Sequence, residues 1–208
     1  MKLSLSRSLP ALVLAGAALA LNSCSNVSSS GPQNSFSFDP PVKQPTSSSA
    51  VRVKLSTGAQ RLYVVEGDNV LLATPISVGK ASSPTPSGSF PIRAKVAQRR
   101  RVSSPGAGYP MTYWMEFYTP AYGMHWGFVK PYPATHGCVR IPLKAARKVF
   151  NLVNVGTRID VASSQPWDDT IGKTLPVLDD SALADPPMSY MLSPKVFQDA
   201  EQGKMWDF

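Results

Sequence analysis

The sequence predicts a mainly β domain, antiparallel and sandwich-like, carrying one main helix, and three observations lead there. Apolar and polar residues alternate along several short runs between residues 51 and 118, the period of a half-buried strand. Turn-forming Gly, Pro, Asn and Asp separate those runs, and the chain's twenty prolines oppose a mainly helical fold. Only after residue 142 does an apolar stripe appear at helical spacing.

The first run is Val51, Val53 and Leu55, alternating with Arg52 and Lys54. Arg61 to Glu66 continues as a second strand, Glu66-Gly67-Asp68-Asn69 makes a turn, and Val70 to Val78 returns as a third, so the domain opens as a meander. Ala81 to Gly88 is a loop of Ser, Pro and Gly leading into a strand from Phe90 to Ala97. Arg99, Arg100 and Arg101, followed by Ser103-Ser104-Pro105-Gly106, read first as a solvated loop and second as a mobile basic loop that greets an anionic substrate. Met111 to Tyr118 alternates again, with Met111, Tyr113, Met115 and Phe117 on one face, and its end delivers His125. Pro142 suits the first position of a helix, where no N–H is required. Its apolar stripe is Leu143, Ala146, Val149, Phe150 and Val153, with Gly156 as its cap and Arg158 to Val161 as the last strand. These roughly 110 residues suffice for one core.

The domain, residues 51–162, has extensions at both ends. Residues 1–23 have Lys2 and Arg7 ahead of an apolar run from Leu9 to Leu21, the pattern of an export signal. The run is too short to cross a bilayer, which takes roughly twenty residues. Leu21-Asn22-Ser23-Cys24 resembles a bacterial lipobox, which makes Cys24 a lipidated first residue and places the protein in the cell envelope, facing the periplasm. Ser25 favours the outer membrane over the inner. Residues 24–50, with nine serines and four prolines, read as a tether spanning roughly 30 Å as a coil. Residues 163–208 hold eight acids against three lysines, a net of −5, whereas 24–162 hold sixteen bases and five acids, a net of +11. Electrostatic docking of this acidic extension on the basic body and a loose tail are both open.

Chemistry concentrates in Thr135-His136-Gly137-Cys138-Val139-Arg140 and, just upstream, Gly123-Met124-His125-Trp126. They gather both histidines of the chain and one of its two cysteines. A thiol becomes a strong nucleophile as the thiolate, commonly beside a histidine that takes its proton. Gly137 lets the backbone approach a ligand, so its N–H and that of Cys138 could hold one oxyanion. This is an inventory for acyl transfer through a thioester. Arg140 reads either as a structural ion-pair partner or as a fork for a substrate carboxylate. Trp126, Tyr122 and Tyr132 read equally as loop packing or as pocket walls. Zinc held by His125, His136 and Cys138 ranks lower, because the nearest upstream acid able to act as a base is Glu116 on the preceding strand. A disulfide between Cys24 and Cys138 ranks lower still, since it would consume the nucleophile. Ser77-Val78-Gly79-Lys80 fits the Ser-x-x-Lys signature of penicillin-binding enzymes, but Ser77 ends a strand and the companion motifs are missing. Export and the lack of a recognition motif oppose nucleic-acid binding despite the positive charge.

ThrHisGlyCysValArg, the preceding MetHis in a glycine-flanked turn, and ThrProSerGlySerPhe at 85–90 occur in the order of the L,D-transpeptidases (YkuD-type), which this chain resembles over residues 51–162. The interval between His125 and the cysteine motif is shorter than is usual in that family. The resemblance implies an L,D-transpeptidase catalytic domain that acts on peptidoglycan stem peptides without metal or other cofactor. Cys138 would attack the carbonyl at the L-centre of the third stem residue, with D-Ala leaving. The thioester would pass to a stem amine as a 3→3 cross-link, to a wall-attached protein, or to water. It makes His125 the proton shuttle, Gly137 and Cys138 the oxyanion donors, and Thr135 and His136 the shapers of the donor pocket. A peptidoglycan-binding lipoprotein without catalysis is the alternative, and the intact Cys138 counts against it.

Overall fold

The computed structural model describes residues 33–101, 103 and 108–205. The expected signal peptide and Cys24 lie outside them. Two mixed sheets form the body. The first runs β3-β2-β1-β9-β4, from β1 (Val51–Ser56), β2 (Arg61–Glu66), β3 (Asn69–Pro75), β4 (Gly88–Pro91) and β9 (Arg158–Ala162). The second runs β5-β6-β7-β8, from β5 (Ala94–Val96), β6 (Trp114–Glu116), β7 (Gly123–Trp126) and β8 (Val139–Ile141). A mainly β architecture with one main helix, α1 (Leu143–Leu152), is therefore as the sequence predicts. The pairing is not wholly antiparallel, because β1 with β9 and β7 with β8 run parallel.

The expected strand from Phe90 to Ala97 divides at Ile92 and Arg93. Its first half pairs with β9 and its second with β6, so the chain passes there from one sheet to the other. Apolar residues of both sheets, including Val53, Leu55, Met115, Met124 and Val139, share one core with Leu143, Ala146 and Val149 of α1. Gly156 does not cap that helix. It sits beyond it in a turn at φ +91°, and the Lys95 ammonium instead takes the Phe150 and Val153 carbonyls at 2.6 and 2.5 Å.

The tether expected over 24–50 is not free chain from residue 33 onward. Ser35 is buried, and its N–H and hydroxyl donate to the Asp180 carboxylate at 2.7 and 2.6 Å. Phe36 meets the Phe128 ring edge-on, and Lys148 pairs with Asp39 at 2.6 Å. The Thr46 and Ser47 amides donate to Glu66. A few anchors among many serines hold the segment, and composition averages them away.

The acidic extension is docked by apolar burial and by hydrogen bonds, among them those from the Ser56 and Tyr63 hydroxyls to the Asp168 carboxylate at 2.7 and 2.8 Å. After β9 come α2 (Ile171–Thr174), α3 (Met188–Leu192) and α4 (Lys195–Glu201). Trp167 and Leu175 cover Tyr63, Val65 and Ala73 on one face of the first sheet. That two-sided burial explains why Leu62 to Val65 are apolar without a break. Val196, Phe197 and Ala200 join the main core. Its ion pairs Lys173–Asp169 and Lys195–Asp199 lie within the extension itself, and the contact with Arg100 of the body is to the carbonyls of Met191, Leu192 and Ser193.

Candidate active site

Parallel pairing of β7 and β8 sets Met124 beside Val139 and His125 beside Arg140. Side chains paired across adjacent strands share a face, and every second residue returns to it. His125, Arg140 and Cys138 therefore face one side, and all three line a cleft of about 1150 Å³. His136 lines it too, as an exposed residue. By the same alternation Trp126 points the other way: it is fully buried in the core and is not a pocket wall. Tyr122 and Tyr132 also leave the wall. Tyr122 covers Gly137 and packs edge-on against Tyr118, and Tyr132 is half exposed with its hydroxyl 3.5 Å from Ser181 Oγ.

The cysteine loop is held by hydroxyls. Thr135, buried, donates from Oγ1 to the Cys138 carbonyl at 2.6 Å and accepts the Gly137 N–H at 3.1 Å. The Gly137 N–H is thus occupied and is not presented as the expected oxyanion donor. Gly137 instead makes the turn, at φ +110°, where a Cβ would come within 2.5 Å of the Tyr122 ring. Thr85, from the ThrProSerGlySerPhe segment, is buried and donates to the Gly137 carbonyl at 3.0 Å while accepting the Gly79 N–H at 2.9 Å. Ser77 exchanges hydrogen bonds with the Lys130 backbone at 2.7 and 3.0 Å, a structural role consistent with setting the Ser-x-x-Lys reading aside. Thr85→Val, nearly isosteric, orphans the Gly79 N–H and the Gly137 carbonyl. We expect a loss of about 1–3 kcal/mol in urea denaturation, together with slower Cys138 alkylation, whereas Thr85→Ser should retain both.

Burial favours the neutral form of both Cys138 and His125. Burial holds the His125 imidazole down to about 4, opposed by its bond to the Trp126 carbonyl and reinforced by the Arg140 and Arg99 guanidiniums. That bond joins Nδ1 to the carbonyl, so Nδ1 carries the hydrogen and Nε2 is left as the basic nitrogen. Burial pushes the Cys138 thiol up, against the Gly123 amide, Arg140 and Arg99, which pull it down. The thiol donates to the Ala121 carbonyl at 3.4 Å. A standing thiolate beside a cationic histidine, the first sequence expectation, is therefore replaced by a thiol and a neutral base. Such a pair transfers its proton as attack begins.

Arg99, Arg100 and Arg101 border the cleft, where the second reading of the basic loop would put them, and Trp114 beside Arg99 is a wall that sequence reasoning missed. Asp180, Leu183, Asp185, Met188 and Met191 of the extension form another. Asp180 also fastens that wall, accepting from the Val129 N–H at 2.7 Å as well as from Ser35. Among the described residues, no group of three or more His, Cys, Asp or Glu side chains is arranged to hold a metal.

The family model for the L,D-transpeptidase catalytic domain matches residues 50–161, more than half of the chain. The chain belongs to that family. YkuD of Bacillus subtilis (strain 168) is 30% identical over 113 residues, and YkuD of Bacillus licheniformis 28% over 114. These alignments cover 52% and 53% of this chain, and the chain spans 64% of the length of each of these curated relatives. Among solved structures, an L,D-transpeptidase (Yku) from Stackebrandtia nassauensis superposes with TM-score 0.49 at 21% identity over 60% of each chain. An L,D-transpeptidase from Mycobacterium smegmatis does so with 0.48 at 22%, over 54% of this chain and 58% of that one. The L,D-transpeptidase match contains Thr85, His125, Cys138 and Arg140, and stops short of the wall built by 180–191.

Proposed function

We propose that this protein is a cysteine-dependent L,D-transpeptidase acting on peptidoglycan stem peptides through a thioester. The observation that carries the reading is the convergence of Cys138, His125 and Arg140 on one cleft. Arg140 takes a stem-peptide carboxylate in its planar fork, a role supported by its place on the cleft, where its aliphatic part lies over Gly127 and a Cβ would be 2.8 Å from Arg140 Cγ. As the Cys138 sulfur attacks the carbonyl at the L-centre of the third stem residue, His125 removes the thiol proton and delivers it to the departing amine of D-Ala. The Cys138 amide supports the oxyanion, the Gly137 amide being engaged by Thr135. An acceptor amine, on a second stem or on a wall-attached protein, then attacks the thioester and restores the thiol. His136 borders the donor pocket. The charged start, the short apolar run and LeuAsnSerCys support a lipid on Cys24 and an envelope location facing the periplasm, and Ser25 favours the outer membrane over the inner.

A carbapenem, a strained cyclic amide, tests the acylation half-reaction. Intact mass should show one adduct on the wild-type protein and none on Cys138→Ser. An adduct that persists in the variant moves the nucleophile elsewhere. A folded wild-type protein that forms no adduct, and leaves peptidoglycan fragments unchanged by mass spectrometry, supports the binding-protein alternative.

A further inference from the structure

We propose that Arg99 is a positioning residue for His125, acting through the Trp114 indole that lies between them. The inference rests on the reading of His125 as the base. Met115 pairs with Met124 across β6 and β7, which brings Trp114 opposite His125 on the cleft face. Their rings stack with centroids 5.7 Å apart and planes 25° from parallel. The guanidinium carbon of Arg99 lies 3.8 Å from the centroid of the same indole, and Arg99 also reaches the Pro120 carbonyl at 3.4 Å. Pro120 borders Ala121, whose carbonyl takes the Cys138 thiol. One side chain therefore touches both the ring that supports the base and the turn that receives the nucleophile's hydrogen.

Local backbone supports a deliberate placement of that indole. Gly123 leaves room for it, since a Cβ there would stand 2.5 Å from the Trp114 ring. Tyr113, directly before it, is at φ 58°, a conformation that bulky residues avoid.

Two effects follow. The cation–π contact holds the indole flat against the imidazole, and the guanidinium charge opposes a second positive charge on His125. Other charged or titratable groups border the same cleft: Arg140 on β8, Cys138 ahead of it, His136, Lys130, Tyr109, Arg100 and Arg101, with Asp180 and Asp185 from the extension. Arg140 and Arg99 are the two guanidiniums that act on His125. Arg140 adjoins it on the neighbouring strand, and Arg99 acts from behind the indole.

The test labels histidine Cε1 in the full-length protein. The chain has two histidines, so His125→Ala assigns both signals. In Arg99→Gln the His125 titration midpoint should rise by roughly half to one unit, the scale of one nearby charge in a partly screened site. The acid limb of Cys138 alkylation by iodoacetamide should rise with it, and Arg99→Lys should restore most of both. Arg99→Met keeps a stem over the indole without the charge and gives the same reading if the glutamine variant does not fold. An unmoved His125 midpoint in the charge-removing variants overturns the proposal. A midpoint that moves while the alkylation limb stays put upholds Arg99 and removes His125 as the base.

Discussion

His125→Ala should slow acylation of Cys138 by roughly 10²–10⁴-fold at neutral pH, while His136→Ala changes it only a few-fold. The difference follows from where each ring stands. His125 is 6% exposed, held through Nδ1 by the Trp126 carbonyl and by its stack on Trp114. His136 is exposed at the cleft edge. A neutral base at rest also predicts the shape of the pH profile. Acylation should persist through mildly acidic pH and fall only as His125 takes a proton, near its depressed value of about 4. In His125→Ala that limb should vanish, leaving a rate that climbs with pH as the thiol, itself pushed up by burial, ionises in solvent. Stopped-flow acylation by a carbapenem between pH 4 and 9 checks both. If His136→Ala carries the large loss instead, the two roles must be exchanged.

Phe197→Ala should destabilise the whole domain by about 3–5 kcal/mol in urea denaturation. Phe197 is 7% exposed, lies in the main core and carries the Arg100 guanidinium 4.6 Å above its ring. Its helix is bound to the body by Arg147 donating to the Glu201 carbonyl at 2.7 Å and by the Tyr113 hydroxyl reaching the Ala200 carbonyl at 3.3 Å. Because apolar burial dominates, hydrogen-exchange protection over 163–205 should persist as salt rises, contrary to docking by net charge alone. Asp169→Asn, at a fully exposed pair, should leave the midpoint unchanged. Since 180–191 line the cleft, Phe197→Ala should also slow acylation. A Phe197→Ala midpoint close to wild type would mean that the extension packs as a separate appendage.

Much of the fold was legible because it rests on periodicities. Val51 to Leu55 alternates with charges and became β1, and the stripe from Leu143 to Val149 became the buried face of α1. The division of 90–97 between two sheets was not legible, since alternation identifies a strand and is silent about its partner. How the extension packs was not legible: its acids stand out in composition, whereas Trp167, Phe197 and Met191 are spaced too irregularly to register as a face.

By itself the sequence pointed to the family and singled out Cys138 as the candidate nucleophile with two candidate bases, because a cysteine and both histidines crowd into fourteen residues beside a glycine that bends the chain. Alternation along β7 could also have excluded Trp126 as a wall. Tertiary structure alone decided the rest. It favoured the neutral thiol and imidazole by burying them, and brought Arg99, Trp114 and residues 180–191 to the cleft. Burial and long-range packing depend on which surfaces meet, and linear spacing does not say which surfaces those are.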